Sequence, residues 1–172
     1  MKNLEGKTAF VTGGSTGIGF GIATAFLKAG AKVAITDIRD DFLASAKTEL
    51  QTISEDVLTF NVNSTDVVTM EDAAKELEAS FGTINILCNN AGIPGGAPIL
   101  ETDDARWRSV FEVNFYGLIN GINVFFPRML DHGEEAHIVN TASFSGIHGH
   151  GSQGAYGSSK SVSYTHLRAH ET

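Results

Sequence analysis

Thr12-Gly13-Gly14-Ser15-Thr16-Gly17-Ile18-Gly19 follows the apolar run Thr8-Ala9-Phe10-Val11 and opens a helical pattern, Ile18, Ile22, Ala25 and Phe26. A strand, a glycine turn and a helix in that order make an anion site. Glycine admits positive φ and lets backbone approach a ligand closely. The N–H groups at the helix start have no intrahelical partner and are free to meet a phosphate. On the glycines alone, a tight turn with no ligand reads equally well.

Working outward, apolar runs at 7–12, 32–37, 57–62, 84–89 and 136–142 read as strands. They alternate with helical patterns at 17–29, 41–53, 67–81 and a long one over 103–130, in one or two pieces. The strands are continuously apolar, which predicts burial on both faces. Short links between strand and helix predict a parallel sheet built by right-handed crossovers. The expected fold is therefore α/β, a Rossmann-type doubly wound parallel sheet, with its ligand at the carboxyl ends of the strands.

Asp37 narrows the ligand. It ends the second run, 18 positions after Gly19, near the ~20 that separates a dinucleotide turn from the acid that holds an adenosine ribose. A carboxylate there accepts from both ribose hydroxyls and repels a 2′-phosphate. Thr16 and Ile38 supply no compensating cation, whereas Arg39 keeps NADP open. The expected cofactor is NAD, with NADP second.

The glycine stretch resembles the cofactor turn of the short-chain dehydrogenase/reductase family, in its simple, non-extended branch, where three residues separate Gly13 from Gly17. Further matches follow in family order: Asn89-Asn90-Ala91-Gly92, Asn114, Ser143 and Tyr156-Gly157-Ser158-Ser159-Lys160. The resemblance implies that Gly13, Ser15, Thr16, Gly17, Ile18, Gly19, Asp37, Asn61, Val62, Asn90, Ala91 and Gly92 line the cofactor site, joined by Tyr156 and Lys160. Asn61 departs from the family's usual Asp at the adenine edge; its amide oxygen still accepts but carries no charge.

Tyr156 and Lys160 stand at i and i+4 and share a helix face. A phenol with a reference pKa of about 10 is a poor base at neutral pH, and a neighbouring cation favours the phenolate. By resemblance Tyr156 is the general acid/base, Lys160 also holds the nicotinamide ribose, and Ser143 donates to the substrate oxygen. Ser145 competes for that role from two residues past the matching position. Asn114 interrupts an apolar helical stretch; the resemblance implies a distortion holding a water that links Lys160 to solvent. The implied reaction is hydride transfer between the nicotinamide and a secondary alcohol or ketone. A non-catalytic dinucleotide sensor or scaffold is the alternative, although binding alone requires only part of the Asn114, Ser143, Tyr156 and Lys160 set.

Composition sets further bounds. A chain of 172 residues with 42% hydrophobic and 19% charged residues suits one domain with a proper core. Net charge is −8 without a basic cluster, which argues against nucleic acid. The N-terminus lacks a signal-peptide core and no apolar run reaches membrane-spanning length, so a cytoplasmic location is expected. Cys88 is the single cysteine and reads as a buried small hydrophobe. His148 and His150 lack further ligands at suitable spacing, so no metal is expected.

Residues 162–172 fit poorly. Only Tyr164 and Leu167 are large apolars there, where a regular stripe should continue. The string is similar to the in-frame translation of transposase adapter DNA, and a non-native tail is the expectation. Residues 1–161 would then be the NAD(P)-binding domain with the catalytic residues, carrying about five of the family's usual seven strands. The resemblance implies two further strands, a substrate-closing segment and a homotetramer or homodimer interface in the parent. The fifth strand would be left as an exposed edge and the 172-residue chain inactive.

Overall fold

The computed structural model describes residue 1 and residues 3–165. Five parallel strands, β1 (Thr8–Thr12), β2 (Lys32–Asp37), β3 (Val57–Asn61), β4 (Ile84–Asn89) and β5 (His137–Asn140), lie in the order β3-β2-β1-β4-β5. The helices are α1 (Gly17–Lys28), α2 (Asp40–Gln51), α3 (Val67–Phe81), α4 (Asp104–Phe111), α5 (Gly117–His132) and α6 (Gly154–Thr165). The chain is an α/β doubly wound parallel sheet, as the alternation of runs predicts. The strand order reverses direction at β1, so the crevice between the carboxyl ends of β1 and β4 is the topological switch point.

Side-chain alternation along β1 serves both faces. Ala9 and Val11 pack with Ala23, Leu27, Leu43 and Leu50, so one face of the sheet is sealed by α1 and α2. Phe10 turns the other way and joins Met70, Leu77, Leu87 and Phe125, sealed by α3 and α5. The Phe10 and Phe125 rings lie 4.5 Å apart between centroids. Burial on both faces explains why the inner strands read as unbroken apolar runs.

Helix ends follow local chemistry. Asp66 caps α3 by accepting from the N–H groups of Val68 and Thr69, and Asp103 caps α4 by accepting from Arg106 at 2.7 Å. The long pattern over 103–130 resolves into α4 and α5 joined by one π-helical turn, Glu112–Tyr116, with Asn114 at its centre. β5 is shorter than the 136–142 run, pairs only with β4, and leaves Val139 half exposed. Of the suspected tail, Val162 to Thr165 continue α6, with Ser163 Oγ donating to Ser159 O at 3.3 Å. Residues 166–172 lie outside the described residues. Among the described residues, no helix is long and apolar enough to cross a membrane, and no cluster of three His, Cys, Asp or Glu could hold a metal ion.

Candidate active site

One cleft of ≈ 750 Å³ runs along the switch point, from Asp37 at the end of β2 to Tyr156 and Lys160 on α6. Its Asp37 end is built by backbone proximity. Gly13 has φ +61°, and a Cβ there would lie 2.9 Å from the Cα of Ala91. Gly19 is tighter still, since its Cβ would come to 2.1 Å from the carbonyl oxygen of Gly13. Neither position admits a side chain, so the turn and the first turn of α1 close into a cradle. Gly14 N–H donates to Thr36 O at 2.8 Å and ties the turn to β2.

The ends of β1 and β4 are laced together. Thr12 Oγ1 accepts from the N–H groups of Asn90 and Ala91, each at 3.0 Å, while Asn90 Nδ2 donates to the carbonyls of Thr12 and Gly13 at 3.1 Å. Asp37 is fixed from several sides. Ser15 Oγ donates to its Oδ2, and the N–H groups of Ile38 and Arg39 donate to Oδ1 at 2.8 and 3.2 Å. The Arg39 guanidinium lies over the Phe42 ring, 3.4 Å from its centroid, with Nε 3.5 Å from Asp37 Oδ1.

At the opposite end, Lys160 is buried and its Nζ donates to Thr141 O at 2.8 Å. Burial lowers the pKa of this ammonium below the ordinary lysine value, because the charged form loses solvent. Nζ sits 6.0 Å from the centroid of the Tyr156 ring on the same helix face. Ser143 Oγ accepts the N–H of Ser145 at 3.2 Å, which leaves the Ser143 hydroxyl proton free to be donated into the cleft. Asn114 is buried and its amide is fully engaged: Oδ1 accepts from Ile93 N–H at 2.8 Å, and Nδ2 donates to Ile93 O at 3.0 Å and Ser159 Oγ at 3.1 Å.

Comparison with known proteins fits this geometry. The sequence model described as short chain dehydrogenase matches residues 7–171. The C alpha-dehydrogenase of a Sphingobium species is 37% identical over 166 residues, which is 95% of this chain and 54% of that protein. The NADP-dependent (R)-specific alcohol dehydrogenase of Lentilactobacillus kefiri is 35% identical over 158 residues, 91% of this chain and 62% of that one. Among solved structures, a short chain dehydrogenase/reductase from Burkholderia phymatum in complex with NAD superposes with a TM-score of 0.92 at 32% identity, covering 96% of this chain and 59% of that chain. The chain belongs to the short-chain dehydrogenase family. It spans about half the length of the curated relatives it matches.

Within this short-chain dehydrogenase fold the expected residues divide by position. Gly13, Thr16, Ile18, Asp37, Val62, Asn90, Ala91, Gly92, Ser143, Tyr156 and Lys160 line the cleft. Gly17 is exposed at the start of α1 with φ +55°, while Ser15, Gly19 and Asn114 are buried behind that lining, where they shape it. Ser15 does so through Asp37, and Asn114 by holding Ile93 against α6. Asn61 is not among the lining residues, and its Nδ2 donates to Asp40 Oδ1 at 2.6 Å.

Six polar residues of the lining or its frame lie outside the sequence expectation: Thr12, Thr36, Asn63, Ser64, Thr141 and Gln153. Thr12 carries a readable signal, a hydroxyl at the last strand position before the glycine turn. Gln153 stands just ahead of α6, where its carbonyl accepts Gly157 N–H at 2.7 Å.

Proposed function

We propose that the full-length protein is an NAD-dependent oxidoreductase of the alcohol dehydrogenase or carbonyl reductase type, moving hydride between a nicotinamide and a secondary alcohol or ketone. The observation that carries this reading is one continuous cleft holding a side-chain-free glycine cradle and a carboxylate at one end, with Tyr156 and Lys160 at the other. The residues fit an extended dinucleotide. The positions closest to the cradle have no room for a Cβ, and Asp37 is held rigidly where ribose hydroxyls would donate. Val62 would pack on the adenine, and the small Ala91 and Gly92 would admit the nicotinamide end.

The bound nicotinamide supplies or accepts the hydride. This chain's residues handle the oxygen and its proton. In oxidation, the substrate hydroxyl gives its proton to the Tyr156 phenolate as the carbinol hydrogen leaves with its electron pair. In reduction, the Tyr156 phenol returns a proton to the forming alkoxide. Lys160 stabilises the phenolate through its positive charge, and Ser143 donates its remaining proton to the same oxygen. Ser143 is preferred to Ser145 because the Ser145 proton is already given to Gln153 Oε1. The π-helical turn at Asn114 interrupts the regular carbonyl ladder, so any water relay from Lys160 would use main-chain oxygen there, the amide being occupied. Asp37 supports NAD over NADP. The half-exposed Phe126 and the exposed Leu130 on α5 support self-association of the parent into a dimer or tetramer.

The test is to express the full-length gene and assay NAD and NADP against a panel of secondary alcohols and ketones, beside Tyr156→Phe. Turnover with wild type and a loss of about 10²–10⁴-fold in the variant is expected. Dinucleotide binding without turnover on any substrate would favour the sensor reading instead.

A further inference from the structure

The substrate end of the cleft is mostly apolar, lined by Ile93, Pro94 and Val113 beside the catalytic side chains. One polar pair interrupts it. The Ser145 hydroxyl donates to Gln153 Oε1, and both residues line the cleft. Ser145 is itself anchored, because its N–H is bonded to Ser143 Oγ at 3.2 Å. Gln153 is fixed by its backbone as well: its N–H donates to His150 O at 3.1 Å and its carbonyl accepts Gly157 N–H at 2.7 Å, at the start of α6. The amide plane is therefore set at both ends of the side chain. With Oε1 occupied, the Nε2 donors have no partner among the described residues.

We propose that Gln153, oriented by Ser145, is a substrate-selecting residue whose amide N–H groups hold a second, uncharged oxygen on the substrate, within two or three bonds of the carbinol carbon. The proposal rests on the dehydrogenase reading of the cleft. Ser143 marks the reacting oxygen, and Gln153 is linked to it through Ser145, whose main-chain N–H donates to Ser143 Oγ and whose hydroxyl donates to Gln153 Oε1, so the second oxygen should lie close to the first. An amide donor in an apolar wall selects by exclusion. A substrate with a methylene where the second oxygen should be leaves those N–H groups desolvated and unpaired. The amide brings no counter-charge, so a carboxylate in this apolar wall would lose its solvent without an ion-pair partner, whereas an ether, hydroxyl or carbonyl oxygen gives up far less.

The probes are 1-methoxypropan-2-ol and its isostere pentan-2-ol, in which a methylene replaces the ether oxygen. Binding is read by isothermal titration calorimetry, which needs no reporter group in the cleft. Titrations use the full-length protein with NAD bound, in the Tyr156→Phe background, so that turnover does not intrude. The methoxy alcohol should bind about 5–10-fold more tightly, as one well-formed neutral hydrogen bond provides. Gln153→Glu keeps an acceptor for Ser145 and loses the donors. It should bring the affinity ratio to near one while the melting temperature holds. Gln153→Leu should do the same to the ratio. Equal affinities in the parent background, binding of neither probe, or an unchanged ratio in Gln153→Glu overturns the proposal. Wild-type turnover of pentan-2-ol is read separately and bears only on the dehydrogenase reading.

Discussion

Lys160 Nζ donates to the main-chain oxygen of Thr141 at 2.8 Å and thereby joins α6 to the end of β5. The same atom lies against the position that a Cβ on Gly92 would take, 3.6 Å away, so β4, β5 and α6 converge on one ammonium. A charge so placed is expensive, and its cost has a measurable sign.

Burial depresses the Lys160 pKa, so the folded chain binds this proton less tightly than the unfolded chain. The resulting penalty is fully present below the folded pKa. It is relieved as pH rises from there toward the unfolded value of 10.5. Lys160→Met removes the penalty at neutral pH together with the cation proposed to assist Tyr156. We expect turnover to fall by about 10²-fold or more while the melting temperature holds or rises. Thermal melts across pH 6 to 9 check this, and a clear fall in melting temperature would mean that the bond to Thr141 outweighs desolvation.

Gly19→Ala tests the cradle. The added methyl would meet the Gly13 carbonyl at 2.1 Å, a backbone atom that cannot swing aside. Displacing the turn should cost about 1–3 kcal/mol in stability and abolish tight dinucleotide binding, measured by denaturant unfolding and by NADH fluorescence titration. Gly21→Ala, where nothing lies within 4 Å, is the control and should leave both measurements close to wild type.

Cys88 is buried on β4, and burial pushes its thiol up to about 12. At pH 8 the thiolate fraction is then vanishingly small, and reagent access is blocked as well. Alkylation of the native chain should be slower than that of the denatured chain by on the order of a thousand-fold. Rapid labelling under native conditions would show that the sheet opens around β4.

Much of this site was legible in the sequence because its parts obey strand and helix arithmetic. Gly13, Asp37 and Asn90 fall at strand ends, and a parallel sheet gathers all such ends along one edge. Tyr156 and Lys160 share a face by their spacing. Asn114 announced itself as a polar residue in an apolar helical run, and the structure answers with a π turn and a fully bonded amide. What was not legible depends on side-chain competition in space. Asn61 occupies the expected strand end, and its amide nitrogen donates to Asp40 across the β3–α2 gap, a pairing that sequence separation does not reveal. Gln153 escaped notice for a related reason: only the fold brings Ser145 within reach to fix its amide.

The choice between NAD and NADP turns on Asp37 and Arg39 together. The carboxylate is fixed by Ser15 and two main-chain N–H groups, so it cannot rotate away from a 2′-phosphate. Arg39, the cation within reach, is held over Phe42 and toward Asp37. Asp37→Ser removes the fixed negative charge and the two proposed ribose acceptors, and frees the Arg39 guanidinium from its ion pair. NADH affinity should fall by at least about tenfold, the value of a single lost hydrogen bond to a charged acceptor. NADPH affinity should rise by a similar factor as repulsion gives way to attraction. Parallel fluorescence titrations of both reduced cofactors measure this without any substrate. If wild type already binds NADPH as tightly as NADH, Asp37 does not face the ribose. If the substitution changes neither affinity, the ribose site lies elsewhere in the cleft.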